Sequence, residues 1–136
     1  MDVADHLSQL ALFADLTPSQ VETIAHSFDE DVFRQGERVL RRGLSGGSFY
    51  VILDGEASVV ANGTPLRRLR RGDFFGEISA LTGDVPSADV VAETLLRCLV
   101  IPGPELESLL LERPAMMLRL LRTEARRLQT AGGWQT

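Results

Sequence analysis

Closely spaced glycines divide the middle of the chain into short apolar segments, and this punctuation limits the folds that the chain can adopt. The segments are rich in Val, Ile, Phe and Tyr, and glycines lie at positions 36, 43, 46, 47, 55, 63 and 72. Turn residues at such short intervals are typical of an antiparallel sandwich or barrel. Asn62-Gly63 is in addition a two-residue hairpin signal. The sequence therefore predicts a mainly β region over residues 31–101.

Helical periodicity flanks this β region on both sides. Before it, residues 3–13 carry apolar side chains at helical spacing, and Thr17-Pro18 offers an N-cap with proline at the first position of a second helix. After it, a short helix is predicted to end at Arg113-Pro114, and a longer one to follow until Gly132-Gly133. We expect one domain with helices in residues 1–30, strands in residues 31–101 and helices in residues 104–131.

Composition argues against several functional classes. The net charge of −5 would repel duplex nucleic acid on average, and no apolar stretch approaches the ~20 residues needed to cross a bilayer. The single cysteine, Cys98, excludes an internal disulfide, fits a reducing cytoplasm and is expected in the core. Because His6 and His26 both fall in the predicted N-terminal helices, no metal site is expected on the strands. No nucleophile–base arrangement is visible, so an enzyme is not expected.

One run combines the features of an anion-binding turn. It occupies residues 74–81 after a Gly72-Asp73 turn, and a predicted strand follows at residues 87–92. Gly76 opens a short predicted helix, whose free N–H groups can face an anion while the glycine lets the backbone approach closely. Glu77 beside it can accept a hydrogen bond from a ribose hydroxyl. The combination suits a phosphorylated sugar.

This run resembles the phosphate-binding cassette of cyclic-nucleotide-binding domains, the family of the catabolite activator protein and of protein kinase regulatory subunits. The family pattern reads F-G-E-hydrophobic-small-L and then, after a short gap, R-S/T/A-A-x-V-x-A. The resemblance implies an antiparallel β-jelly roll with two N-terminal and two C-terminal α-helices. It also implies a cytoplasmic, non-enzymatic regulatory domain for cyclic AMP or cyclic GMP. The ligand-binding residues so implied are Leu66, Phe75, Gly76, Glu77, Ile78, Ser79, Ser87, Ala88 and Arg127.

The chain departs from this pattern at Pro86, which stands where the family has its arginine. That arginine holds the cyclic phosphate bidentately, a geometry that no other side chain reproduces. No Arg or Lys occurs between Glu77 and Leu96, so a shifted register does not restore it. Losing one partner of a buried charge pair costs about 2–5 kcal/mol, or roughly 30- to several-thousand-fold in affinity. A helix N-terminus offsets only about 0.3–1 kcal/mol, or about 2 when partly buried.

Replacement contacts are sought elsewhere in the chain. Candidate cations are Arg67 and Arg68, on the strand before the cassette, and Arg42, beside the Gly43 turn. By alignment of the last helix with the family, the base-reading positions fall near Arg127, Ala131 and Gly132, two of which have no side-chain donor or acceptor. Trp134 is a further candidate, as an aromatic cap over the base.

Two classes of function stay open from the sequence. One is a stand-alone or detached sensor domain that binds a cyclic nucleotide weakly or conditionally and relays binding through its C-terminal helices. The other is a degenerate domain that contacts an effector protein or holds a different small ligand. A homodimer through the last helix is also expected, with Arg119, Arg122, Arg126 and Arg127 flanking the seam. Because the chain ends at Thr136 with no helix-turn-helix module, we do not expect a complete transcription activator.

Overall fold

The structure, a computed structural model, describes residues 2–44 and 47–132, the last two by their backbone alone. The chain divides into two compact units. One unit comprises the N-terminal stretch up to Ala25 together with the C-terminal stretch from Ser108, and the other runs from His26 to Glu107.

The unit from His26 to Glu107 is an antiparallel β-jelly roll, which confirms the fold predicted from the sequence. Its described residues form eight strands: β1 (Asp29–Phe33), β2 (Arg38–Leu40), β3 (Ser48–Asp54), β4 (Ala57–Ala61), β5 (Thr64–Leu69), β6 (Phe74–Phe75), β7 (Asp89–Ala92) and β8 (Leu96–Pro102). They make two four-stranded sheets, with the orders β1-β8-β3-β6 and β2-β7-β4-β5.

The core of the jelly roll is a cluster of buried apolar side chains drawn from both sheets. It includes Leu40 of β2, Ile52 of β3, Leu69 of β5, Val90 of β7 and Cys98 of β8. Alternation along each strand produces this arrangement, because successive side chains point to opposite faces of a sheet. The expectation that Cys98 belongs to the core is confirmed, since its side chain is fully buried.

Two glycine turns depend on the absence of a side chain or on a positive φ. In the β4–β5 hairpin, Asn62 and Gly63 have φ values of 52° and 75°, as a two-residue primed turn requires, and the predicted hairpin is confirmed. At Gly55, with φ of 92°, a Cβ atom would lie 2.2 Å from the carbonyl oxygen of Leu95. Only glycine fits where these two segments cross.

The N-terminal stretch differs from the prediction in one respect. Residues 3–13 do not form one helix: α1 (Val3–Ser8) ends early, and a separate 3₁₀ helix spans Ala11–Phe13. Between them Leu10 is extended, at φ −99° and ψ 140°, and its side chain is buried. The free energy gained by burying the Leu10 side chain offsets the loss of helical hydrogen bonds at this break.

The second helix begins as predicted. In α2 (Pro18–Ala25), Thr17 caps the helix: its hydroxyl accepts from the N–H of Gln20 at 3.2 Å, and the Gln20 side chain accepts from the N–H of Thr17 at 2.9 Å. His26 lies just beyond the end of α2 rather than in it, which corrects its predicted placement.

Three further helices complete the described chain. They are α3 (Glu77–Thr82), α4 (Gly103–Glu112) and α5 (Pro114–Gly132). Pro114 separates α4 from α5, and it is itself the first residue of α5, the position where a missing N–H is tolerated. Both C-terminal helices therefore form where the sequence predicts them, with α5 beginning one residue earlier than expected.

Candidate ligand-binding site

The predicted cassette helix forms, and a glycine in a left-handed conformation opens it. Gly76, at φ 81° and ψ 2°, is the N-cap of α3, and Gly83, at φ 80°, is its C-cap. A Cβ atom on Gly76 would lie 2.6 Å from the carbonyl oxygen of Ser48 and 3.1 Å from the Tyr50 ring. Glycine is therefore required here both by the backbone conformation and by the space available.

Two polar side chains of α3 are buried. Glu77, at the first position of the helix, is 6% exposed, and Ser79 is 5% exposed. Carboxylates are almost never buried to this extent unless they are paired, and Glu77 does have a partner in the structure. The helix N-terminus adjoins Glu77, so the carboxylate lies where the positive end of the helix dipole favours it.

Aromatic packing holds the start of the cassette against strand β3. Phe75 stacks on Tyr50 with ring centroids 4.8 Å apart and planes 2° from parallel, and Phe33 meets Tyr50 at 6.3 Å, edge to face. Burial raises the pKa of the Tyr50 phenol, and the charge of Asp31 adds to the shift. Tyr50 therefore stays neutral at physiological pH. Sequence reasoning did not identify it as part of the site, because its role depends on the pairing of β3 with β6.

Pro86, at the position assigned to the family arginine, is built into the jelly roll. Its side chain is buried, and its carbonyl oxygen accepts a hydrogen bond from the N–H of Gly43 at 2.9 Å. Nearby, the Asp89 carboxylate accepts from the N–H of Arg42 at 2.8 Å. The second half of the cassette is thus held to the segment that follows β2 by two hydrogen bonds.

The other predicted ligand-binding residues differ in burial and in the element on which they lie. Ala88 is half-buried next to β7, and Ser87 is exposed. Ile78 of α3 and Leu66 of β5 are 59% and 60% exposed. Arg127 lies on α5, in the other compact unit, where its guanidinium forms an ion pair with Glu124 at 3.4 Å.

Two of the three candidate replacement cations already have partners on the jelly-roll surface. The Arg68 guanidinium pairs with Glu56 at 3.3 Å, and the Arg42 guanidinium donates to the side-chain oxygen of Asn62. Arg67 is engaged with a neighbouring group as well, and it differs from the other two only in burial: its side chain is half-buried and its Nε atom is buried. It is paired across the sheet with Val59, which packs against the core, so it lies on the inner face of β5.

The helix that leaves the jelly roll begins in contact with the cassette helix. The N–H of Gly103, the first residue of α4, donates to the carbonyl oxygen of Gly47 at 2.7 Å. A Cβ atom on Gly103 would lie 2.3 Å from the carbonyl oxygen of Ala80, in α3. A movement of α3 would therefore be felt directly at the start of α4.

Other chemistry has little support in the described part of the chain. No group of three or more His, Cys, Asp and Glu side chains there is arranged to hold a metal ion. Burial raises the pKa of the Cys98 thiol to about 12, with a further contribution from the charge of Asp31. A thiol held neutral in this way is a poor nucleophile. Helices of the described residues are all too short or too polar to span a membrane.

The predictions for Ala131, Gly132 and Trp134 depend on side chains that lie outside the described residues. Two of the four arginines expected to flank a dimer seam have partners within their own unit, Arg127 with Glu124 and Arg119 with Asp15. Arg119 pairs with Asp15, donating from Nη2 to Oδ1 at 3.2 Å, and so has a partner within its own unit.

A jelly roll with a glycine-opened helix between its sixth and seventh strands, and with helices before and after it, is the architecture of a regulatory ligand-binding domain. Comparison with known sequences identifies the family. The sequence model described as "Cyclic nucleotide-binding domain" matches residues 30–113, which is more than half of the chain. The chain belongs to the cyclic nucleotide-binding domain family, as its cassette predicted.

A similar sequence occurs within a larger regulatory protein. The cAMP-dependent protein kinase regulatory subunit of Schizosaccharomyces pombe is 35% identical over 105 residues, which are 76% of this chain and 26% of that protein. This chain therefore spans about a quarter of that relative.

Two solved structures share the fold. The catabolite activator protein of Thermus thermophilus is 27% identical with a TM-score of 0.79, over 89% of this chain and 59% of that one. The second is a regulatory subunit of a cAMP-independent protein kinase A from Trypanosoma brucei. It is a triple mutant, with one of its substitutions introducing an arginine, bound to cAMP in the A site. It is 26% identical with a TM-score of 0.79, over 88% of this chain and 44% of that one.

Proposed function

We propose that this chain is a non-enzymatic regulatory domain whose cassette receives a cyclic nucleotide weakly, because the cassette itself supplies no cation. The observation that carries this proposal is the N-terminus of α3. Gly76 adopts the left-handed conformation that allows close backbone approach, and Glu77 is buried beside it. A buried carboxylate at this position suits a ribose hydroxyl, because a carboxylate oxygen can accept a hydrogen bond from it.

The expected affinity for a cyclic nucleotide follows from the proline at position 86. A buried proline with an engaged carbonyl gives the phosphate neither a charge nor an N–H. The T. brucei subunit, from a kinase described as cAMP-independent, is found bound to cAMP as a variant that gains an arginine, which supports the general need for a cation in such a site. We expect affinities for cyclic AMP and cyclic GMP that lie in the high micromolar to millimolar range.

The proposal includes a way for ligand binding at the cassette to change the C-terminal helices. Ligand bound at Gly76 and Glu77 would shift α3, and Ala80 of α3 lies against Gly103, the first residue of α4. Helix α4 would respond because no side chain separates it from the α3 backbone at that point. Binding in the jelly roll would in this way be relayed to the C-terminal helices.

Calorimetric titration with cyclic AMP and cyclic GMP tests the proposal, with 5′-AMP as the control for binding of any nucleotide. Binding in the high micromolar to millimolar range, weaker for 5′-AMP, agrees with the proposal. Binding tighter than about 10 μM would contradict the account of Pro86. An absence of heat at several millimolar cyclic nucleotide would show that the cassette is not a nucleotide site.

A second candidate function, contact with an effector protein or a second copy of the chain, has its own support. Helix α5 carries apolar side chains that are at least 37% exposed within the described structure: Met117, Leu118, Leu121 and Leu128. Such a stripe on a long helix suits a helical partner. Sedimentation that shows a monomer at high micromolar concentration would reject the homodimer.

A further inference from the structure

A polar pocket lies in the jelly roll, outside the cassette. It has a volume of about 220 Å³ and is lined by residues of β2, β3 and the segment between them, including Arg38, Leu40, Arg41, Leu44, Ser48 and Tyr50. We call it the arginine pocket. No acidic side chain belongs to its wall in residues 2–44 and 47–132.

The two arginines of this pocket have no internal counterion. Neither Arg38 nor Arg41 makes a side-chain hydrogen bond or ion pair with another described residue. Other arginines of the same unit do have acidic partners: Arg68 and Arg70 with Glu56, and Arg97 with Glu30. Both arginines are exposed residues of the pocket wall, so an anion in the pocket can accept hydrogen bonds from them without displacing an existing partner.

The remaining wall favours an organic group over a bare ion. Tyr50 presents a neutral ring, and Leu40 and Leu44 add apolar surface. The Ser48 side chain and the Tyr50 hydroxyl supply further hydrogen-bonding groups, because neither makes a hydrogen bond with another described residue. Phe75 stacks on one face of Tyr50, so an aromatic body would pack against the remaining surface of the ring while an arginine pairs with its anionic end.

The size of the pocket limits the ligand. Pockets for drug-sized molecules and cofactors occupy about 300–1,000 Å³, and this one is smaller. A cyclic nucleotide, with a base, a sugar and a phosphate, is too large to be enclosed by it. A single ring or short chain that ends in one anionic group fits better.

We infer that the arginine pocket is a binding site for a small organic anion, a carboxylate or a phosphate monoester with an apolar or aromatic body. In this site Arg38 and Arg41 hold the anionic group, and Tyr50 and the leucines contact the body. The site is separate from the cassette and does not rest on the proposed cyclic nucleotide binding. The two nevertheless share a wall, since Ser48 and Tyr50 are the residues that a Cβ atom on Gly76 would meet.

Titration calorimetry on the full chain tests this inference with three probes of one shape: benzoate, phenyl phosphate and the neutral benzamide. We expect one or both anions to bind about tenfold or more tightly than benzamide, because only they pair with the guanidinium groups. The tighter of the two anions identifies whether a carboxylate or a phosphate is preferred.

Substitutions of the two pocket arginines test whether the anion binds in the arginine pocket. Arg38→Gln and Arg41→Gln should each weaken binding of the preferred anion by about tenfold or more, since each removes a charged donor. Arg34→Gln is the matched control: Arg34 is an exposed arginine just after β1 that does not line the pocket. It should change the affinity by no more than about twofold.

The inference is overturned if neither anion binds below about 10 mM, a dissociation constant that corresponds to less than about 3 kcal/mol. It is also overturned if benzamide binds as well as the anions, or if Arg34→Gln weakens binding as much as the two pocket variants do. Weakening of the anions by Glu77→Gln alone would instead place them in the cassette.

Discussion

The cassette and the arginine pocket adjoin each other in the same jelly roll, yet their electrostatics are opposite. The cassette has a glycine-opened helix and a buried carboxylate, Glu77, but no basic residue from there to Leu96. The pocket has two arginines that pair with no acid among the described residues, and its described wall contains no acid. Geometry suited to a phosphate and the charge suited to one therefore lie in two different places. We propose that this cassette keeps the backbone shape of its family without the cation that would give it affinity for a phosphate.

The shared wall between the two sites gives the largest expected effect. Gly76→Ala forces a left-handed alanine, which costs about 1–2 kcal/mol, and places a Cβ atom 2.6 Å from the Ser48 oxygen. We expect a total loss of about 2–4 kcal/mol in the free energy of unfolding, measured by urea denaturation.

Gly83→Ala is the control for this prediction. Gly83 caps the same helix with nearly the same φ, but nothing lies within 4 Å of a Cβ atom there. Gly83→Ala should lose only the cost of the left-handed conformation, about 1–2 kcal/mol. Equal losses for the two variants would mean that the wall between cassette and pocket is not closely packed.

The contact between α3 and α4 gives the next effect. Gly103→Ala places a methyl group 2.3 Å from the Ala80 oxygen, and the overpacking should cost about 1–3 kcal/mol of unfolding free energy. Glu107→Ala, at an exposed position of the same helix, should be nearly neutral. If Gly103→Ala is neutral too, α4 does not bear on the cassette and the proposed relay loses its basis.

The carboxylate of the cassette is tested by affinity. In a Pro86→Arg background, Glu77→Gln should weaken cyclic AMP binding by about tenfold, because an amide accepts a hydrogen bond from the ribose less strongly than a carboxylate does. The same change should leave benzoate binding to the arginine pocket unaltered. An equal loss at both sites would mean that they are one.

The smallest effect concerns the helical unit, away from both sites. The hydrogen bond from Arg119 lowers the pKa of Asp15, so the charged form is favoured by folding. That stabilisation is present above the unfolded pKa of Asp15 and is lost as the pH falls through the lower folded value. The difference in Tm between the wild type and Arg119→Gln should therefore be small near pH 7 and vanish at strongly acidic pH. A difference that grows on acidification contradicts this assignment.

Local sequence signals predicted most of the fold, and tertiary pairing accounts for the rest. The Asn62-Gly63 hairpin, the Thr17 cap and the Gly76 helix all depend on neighbouring residues, and all three form. The break at Leu10 was not predicted, because it depends on burial of one side chain.

The same distinction applies to the candidate sites. The cassette could be predicted because its residues are contiguous in the sequence. The arginine pocket could not, since it forms only where β2 and β3 approach each other, and nothing in the spacing of Arg38 and Arg41 marks a site. Likewise Asp15 and Arg119 are 104 positions apart, and no local pattern joins them.

The most direct measurement compares cyclic AMP binding by Pro86→Arg and Pro86→Gln. Both variants change the backbone at residue 86 in the same way, and only one of them restores a guanidinium. If the missing charge sets the affinity, calorimetry will show Pro86→Arg binding cyclic AMP about tenfold or more tightly than the wild type, with Pro86→Gln close to the wild type. Equal affinities for the two variants would contradict the account, because the cassette would then not be where the phosphate is held.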